Sequence, residues 1–452
     1  MRTSMGPDRP LTGASLRGQA SPEWMDRDVE LLILARLFMS AGRGLAGVMV
    51  PIYLAKIGFD GSTLGILFAV TAIVSALLTS AVAFLSDRLG RKLFIIGVPL
   101  LAAAAALVFA VTKNDAIVFV FAALGSFGRG AGAGGGSVGP YQPAEQAYLA
   151  DSVPANVRNS LFGRVAFASS LGAVVGVGVL AWIPDIAVHF GLSELNAYRP
   201  AFIALSLVSL TAAFLPLPIA PRRASVPKGR RGLGLTLPRK SWPVLLRLWL
   251  TNSLSGAAIG FFGPFITYWF YKRFNAGPGT VGTLYAIINI GSMASTLSAA
   301  RIATSLGAVK TIVLTHLVAA VLIVPMVLSP HFWIGGAIYF IRLMIQRVGM
   351  PLRQSYVMGV VPPEERALVA GLSNLPAQAT SATTPALAGY LFDHVAMSLP
   401  FEIGAFVQGM SAAVYWAFFR NLRPPEETVE VVEASLTAAE VEVEEVAPGG
   451  SA

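Results

Sequence analysis

Arg36, Arg43, Arg129, Glu145, Arg342 and Arg353, together with the amide of Gln346, lie within long runs of apolar residues. A charge taken out of water must meet an opposite charge, a backbone carbonyl or a charged ligand. Such residues support three kinds of chemistry: arginines can hold an anionic group of a solute, a carboxylate can carry a proton, and a guanidinium–carboxylate pair can join two segments and release them. Arg36 and Arg43 are two helical turns apart and share a stripe with Ser40 and Gly47. Counted from the start of the run near residue 30, Arg43 lies about 20 Å deep, where it can meet an anionic substrate group, a carboxylate or backbone carbonyls. Arg342 and Gln346 share a face, while Arg347 points elsewhere. Glu145 is the candidate proton carrier. It also sits at the depth of Arg36 and Arg353, and a pair of Glu145 with either arginine is expected to close an inner gate. Arg129 opens the glycine-rich stretch RGAGAGGGSVGP, where it can tune a proton-binding group, hold an anion, or snorkel to water at the interface.

The segments that carry these side chains are unusually apolar. The chain is 55% hydrophobic and 13% charged, against about 25% charged in an ordinary soluble domain. That excess implies lipid as its solvent. A helix crosses the hydrocarbon core with about 20 apolar residues, and twelve runs qualify, near 31–55, 62–85, 93–112, 116–150, 160–183, 200–219, 243–271, 279–303, 309–329, 332–358, 367–391 and 400–420. Cations gather in the connectors after even-numbered runs, among them Arg88, Arg91, Lys92, Arg158, Arg222, Arg223, Lys310 and Arg366. The positive-inside rule then places both termini in the cytoplasm, in the cell (plasma or inner) membrane. It also accounts for the net charge of +9 without nucleic acid. Residues 1–30 form a cytoplasmic N-terminal segment lacking the order of a cleaved signal peptide. A six-helix bundle is expected over 31–219, a basic cytoplasmic linker over 220–242, a second bundle over 243–420, and a disordered acidic tail over 421–452.

One connector is written twice. EQAYLADSVPANVRNSLFG (145–163) aligns without a gap on RQSYVMGVVPPEERALVAG (353–371), matching Gln146 with Gln354, Tyr148 with Tyr356, Val153-Pro154 with Val361-Pro362, Arg158 with Arg366 and Gly163 with Gly371. The first copy follows run four and the second follows run ten. Two halves related by an axis along the membrane normal account for this, with a binding cavity between them near mid-membrane.

After run two comes AFLSDRLGRK (83–92), in which Asp87 and Arg91 are spaced to pair on one helix face and Gly90 permits a tight turn. With this motif the chain resembles the major facilitator superfamily over nearly all of residues 30–420. The family pattern G-x-L-x-D-R-x-G-R-K is kept but for Ala83 at its first glycine. The resemblance implies an all-α integral membrane fold of twelve transmembrane helices in two pseudo-symmetric six-helix bundles. It also implies that Asp87, Arg88, Gly90, Arg91 and Lys92 form a gate element, with Asp87 facing the start of span eleven when the cytoplasmic side is closed. The stretch from Arg129 is similar to one found in proton-coupled exporters of the family. Gly163, Gly172 and Gly176 follow the exporter frame, but Val177, Leu180 and Ala181 replace its Pro and Gly pair.

The expected activity is secondary active transport by alternating access: proton-coupled export of an amphipathic or drug-like small molecule, or alternatively movement of a small organic or inorganic anion. A non-transporting receptor is the remote alternative. The protein is expected to work as a monomer in the lipid bilayer on a small-molecule substrate, with no cofactor and the proton gradient as energy source. No phosphate loop supports ATP-driven transport. The four scattered histidines and the absence of cysteine give no metal or thiol chemistry, so an enzyme is not expected.

Overall fold

The computed structural model describes residues 25–112, 114–127, 139–221, 241–362 and 364–421. Arg129, most of the basic linker and nearly all of the acidic tail lie outside the described residues. The described chain is built of helices, the form in which a backbone satisfies its own hydrogen bonds in lipid.

In the N-terminal half, α1 (Arg27–Lys56), α2 (Gly61–Leu89) and α3 (Arg91–Val111) are continuous. They are followed by α4 (Asp115–Leu124), α5 (Tyr141–Ser152), α6 (Arg158–Gly178), α7 (Ile183–His189) and α8 (Tyr198–Phe214). The C-terminal half comprises α9 (Trp242–Phe262), α10 (Ile266–Phe274), α11 (Pro278–Leu306), α12 (Ala308–Val321), α13 (Ile323–Val327), α14 (Phe332–Val360), α15 (Arg366–Ser373), α16 (Leu375–His394) and α17 (Leu399–Phe419). Breaks fall where the sequence weakens a helix. The seventh run is interrupted between α9 and α10 at Gly263-Pro264, and the eleventh at Asn374, just before Pro376. The fourth run is interrupted as well, since α4 ends at Leu124 and α5 begins at Tyr141. The tenth, for all its arginines, is the single 29-residue helix α14.

Among the described residues, six helical runs are long and apolar enough to cross a membrane: Arg27–Lys56, Gly61–Leu89, Arg91–Val111, Arg158–His189, Trp242–Phe274 and Val309–Val327. Leu77, Leu107, Leu207, Leu317 and Phe406 are exposed, an apolar mantle suited to acyl chains. Close helix approach relies on small residues. A Cβ added to Gly172 or Gly176 of α6 would run into the carbonyls of Leu37 and Ala41 on α1. Gly172 and Gly176 of the exporter-like frame therefore pack helices within one half.

The apolar core divides unevenly. At the end of the molecule opposite the DRLGRK turn, one cluster joins both halves and includes Tyr53, Phe68, Phe265, Trp269, Tyr285 and Phe392. At the end carrying that turn, called here the basic end, each half has its own core. One is built around Leu32, Tyr141, Tyr148 and Leu161, the other around Leu245, Tyr356, Val369 and Phe419. Hydrogen bonds and ring contacts join the halves at the opposite end, such as Phe68 against Phe265 at 5.4 Å and the Trp182 indole N–H donating to Thr283 at 3.1 Å. The halves are thus sealed at one end and separate at the other.

Candidate functional site

The DRLGRK turn is tied to its own half. Gly90 adopts φ +99°, open to glycine, and lets α3 start directly after α2. Arg91 donates to Asp151 at 2.6 Å and to the Ala147 carbonyl at 2.7 Å, and lies 3.3 Å from Asp87 on the preceding turn. Lys92 donates to the Leu217 carbonyl, and the Arg88 guanidinium stacks 4.5 Å over Phe84. Asp87 is half exposed and has no hydrogen bond to α15 or α16 among the described residues. The contact that the resemblance assigns to a closed gate is not made here, in keeping with the separated cores at this end.

Deeper in the same half, Arg36 of α1 donates to Glu145 of α5 at 2.5 Å, with both side chains buried. Arg36 Nε also donates to the Ser169 hydroxyl at 3.3 Å, and the Ser40 and Ser169 hydroxyls bond each other at 2.8 Å. The cluster therefore ties together α1, α5 and α6. Glu145 Oε1 has no hydrogen-bond partner among the described residues. Of the two expected pairings of Glu145, the structure makes the one with Arg36 and does not bring Glu145 to Arg353. Because Arg36 and Glu145 belong to one half, their pair cannot bridge the cleft as a gate between halves.

Arg43 Nη1 donates to the Ser126 carbonyl at 3.1 Å, at the end of α4. It also lines a cavity of about 40 Å³ with Met39, Leu78, Val98 and Pro140, all of the N-terminal half. Backbone carbonyls are thus part of how this deep charge is satisfied.

In the C-terminal half Arg342 is fully buried. Its Nε donates to the Ala319 carbonyl at 3.0 Å, Nη1 to Gln346 at 3.3 Å and Nη2 to Gln408 at 2.9 Å, and its plane lies 4.0 Å from the Phe262 ring. Arg353 donates to Asn252 and reaches Ser255 and the Tyr415 ring. Arg342, Gln346 and Arg353 therefore have partners within their own half, leaving Arg347 half-buried and without a hydrogen bond among the described residues. The aromatic run at 261–271 lies mostly inside. Phe261, Phe262, Phe265, Tyr268, Trp269 and Phe270 are buried, and Phe265, Tyr268 and Phe392 pack together as the floor of the cleft.

The sequence reading did not single out Asp185 and Asp393. Each lies at the opposite end and accepts hydrogen bonds from backbone of the other half, Asp185 from Gly279 and Asp393 from Gly61 and Ser62. They stand at the repeat's own offset of 208 residues, a signal the sequence carried.

Two helical bundles with a repeat-related core, sealed to each other at one end and parted at the other, define a two-domain membrane transporter. The chain belongs to the Major Facilitator Superfamily, whose model matches residues 32–345 and 248–445. It is a multi-pass membrane transporter of that family and not an enzyme. Over 403 residues it is 21% identical to the uncharacterized membrane protein YJR124C of Saccharomyces cerevisiae, covering 81% of this chain and 88% of that protein. Over 163 residues it is 25% identical to the quinolone resistance protein NorA of Staphylococcus aureus, a match spanning 36% of this chain and only 40% of NorA. Among solved structures, the nucleoside transporter NupG superposes with a TM-score of 0.66 at 14% identity, covering 87% of this chain and 99% of NupG. The inward-facing, unoccupied bacterial homologue of the human lysosomal transporter Spinster gives 0.65 at 13% identity, over 88% of this chain and 97% of that one. These likenesses establish the fold.

Proposed function

We propose that the protein is a proton-coupled exporter of an amphipathic small molecule, working by alternating access, with the basic end and both termini in the cytoplasm. The observation that carries this reading is the divided core: one apolar cluster joins the halves at one end, and two separate clusters stand apart at the other. A cleft open to one side with an aromatic floor receives an amphipath from the cytoplasm or inner leaflet, and rocking the halves presents it to the other side. The cations cluster at the open end, so the positive-inside rule makes this the inward-open state. The partial similarity to NorA supports export.

Glu145 is the proposed proton carrier. Protonation removes the charge that Arg36 faces at 2.5 Å and leaves a buried cation with Ser169 as its other named partner. That makes the packing of α1 on α5 and α6 depend on the proton. The anion reading loses support because Arg36, Arg342 and Arg353 are bonded within their own halves. Its remaining support is Arg347, half-buried and without an acceptor among the described residues.

Proteoliposomes carrying an imposed pH gradient test the reading. Saturable, gradient-dependent movement of lipophilic fluorescent cations such as ethidium, lost in Glu145→Gln, is the expected result. Movement of organic anions lost in Arg347→Gln, with Glu145→Gln still active, would replace it with the anion reading.

A further inference from the structure

Two carboxylates on opposite halves grip the other half in the same way. Asp393, at the end of α16, accepts the Gly61 N–H at 3.0 Å, the Ser62 N–H at 2.6 Å and the Ser62 hydroxyl at 2.9 Å, at the start of α2. Asp185, in α7, accepts the Gly279 N–H at 2.7 Å, at the start of α11. Positions 185 and 393 are 208 apart, the offset that relates Tyr148 to Tyr356 and Arg158 to Arg366.

The next contact along each helix repeats the correspondence. A Cβ on Gly65 of α2 would strike the Pro385 carbonyl, and a Cβ on Gly282 of α11 would strike the Val177 carbonyl. Val177 and Pro385 are again 208 apart, while Ser62 and Gly279, like Gly65 and Gly282, are 217 apart. Different residues thus arrive at one geometry on both sides of the pseudo-two-fold. The approach also needs glycine, because a Cβ on Gly61, Gly277 or Gly279 would sit 2.6 Å from a carboxylate oxygen.

The geometry points to a pair of latches: Asp185 and Asp393 each hold the first turn of a helix from the other half, and together they set how firmly the end opposite the basic loops stays closed. The physical basis is general. The first N–H groups of a helix lack intrahelical acceptors and carry partial positive charge, and a carboxylate there makes charge-assisted hydrogen bonds. Both donors belong to the opposite half, so the bonds exist only while this end is shut. An interaction confined to one of two states is what shifts an equilibrium between them. This inference rests on the alternating-access reading above, and its test reads distance rather than transport.

The chain contains no cysteine, so label pairs can be introduced without background. Ser193→Cys with Ala396→Cys reports the opposite end and Asn159→Cys with Lys310→Cys the basic end; all four positions are exposed. Pulsed electron–electron distance measurements on spin-labelled protein in nanodiscs should show a short, dominant separation at the opposite end of the parent. Asp185→Asn or Asp393→Asn should each raise the open-to-closed ratio there about tenfold, which is about 1.4 kcal/mol and within reach of a charge-assisted hydrogen bond. The double variant should raise it about a hundredfold, with the basic-end pair moving closer. Ser62→Ala, which removes only the hydroxyl contact to Asp393, should give a smaller shift in the same direction; it carries the test if the double variant does not fold. Parent-like distances at both label pairs in a folded double variant, or in both single variants with Ser62→Ala, would overturn the proposal. So would a response to one aspartate with none to the other. Failure to find any transported solute would count against the functional reading and leave the distances to decide this one.

Discussion

Removing one member of the Arg36–Glu145 pair should cost far more than removing both. The two side chains lie 2.5 Å apart at 4% and 0% exposure, with little water available to either. In Glu145→Ala, Arg36 remains buried with Ser169 as its other named partner at 3.3 Å, and breaking such a pair typically costs about 3–5 kcal/mol. Replacing both by apolar residues of similar size, Arg36→Met with Glu145→Leu, removes the two desolvated charges together and should fall within about 1–2 kcal/mol of the parent. A double-mutant cycle should therefore give a coupling of at least about 2 kcal/mol. Unfolding in mixed micelles of increasing sodium dodecyl sulfate fraction, followed by tryptophan fluorescence, measures these differences. The apolar double variant should fold and bind, while its transport no longer follows the imposed pH gradient. Additive single costs, or a Glu145→Ala penalty below about 1 kcal/mol, would refute the buried-pair argument. Gradient-driven transport surviving in the double variant would refute the role of Glu145 in coupling.

Four further outcomes follow from the same geometry. Gly172→Val should destabilise by about 1–3 kcal/mol or more, because its side chain meets the Leu37 carbonyl. Gly163→Ala, with nothing near its Cβ, should stabilise α6 by about 0.5–1 kcal/mol in the same denaturation assay. Arg342→Met should cost about 1–3 kcal/mol by leaving Gln408 and the Ala319 carbonyl without their donor, and adding Gln408→Leu should recover part of it. At the start of α2, the side-chain and backbone hydrogen bonds of Thr63 hold the Asp60 carboxyl below its usual range. Its folded pKa is depressed, so its stabilisation is present above the unfolded value of about 3.9 and is lost as pH falls through the folded one. Asp60→Ala should cost about 1 kcal/mol at neutral pH and remove that part of the acid sensitivity, read by thermal unfolding against pH.

Much of the architecture was legible because it is written as pattern. Apolar runs of membrane length, the doubled connector and the DRLGRK turn depend on local sequence, and the structure keeps Asp87 and Arg91 on one face as their spacing requires. The partners of the deep charges were less legible. Glu145 had two candidate arginines at matching depth, and depth alone does not tell which helix lies beside it. Arg353 found Asn252, a neutral amide that no charge-matching rule would choose. The aromatic run at 261–271 suits an interfacial belt, a core or a cavity wall equally by composition; only packing against Phe68 and Phe392 separates them. Asp185 and Asp393 escaped notice because they lie near connectors, where a lone acid usually does no more than face water. Arg129 lies outside the described residues.

The aromatic floor has a thermodynamic consequence. Where the halves meet now, Phe68, Phe265 and Phe392 exclude water from the seam. The stripe of α2 that runs through Gly61, Gly65 and Phe68 continues toward the basic end through Thr79 and Ala83, and the matching stripe of α16 reaches Gln378. Turning the molecule inside out therefore trades an oily seam for one of small and polar groups, and such an exchange carries a heat-capacity change. Cooling weakens the oily seam more than the polar one, so a chilled transporter spends a larger share of its time open at the end opposite the basic loops.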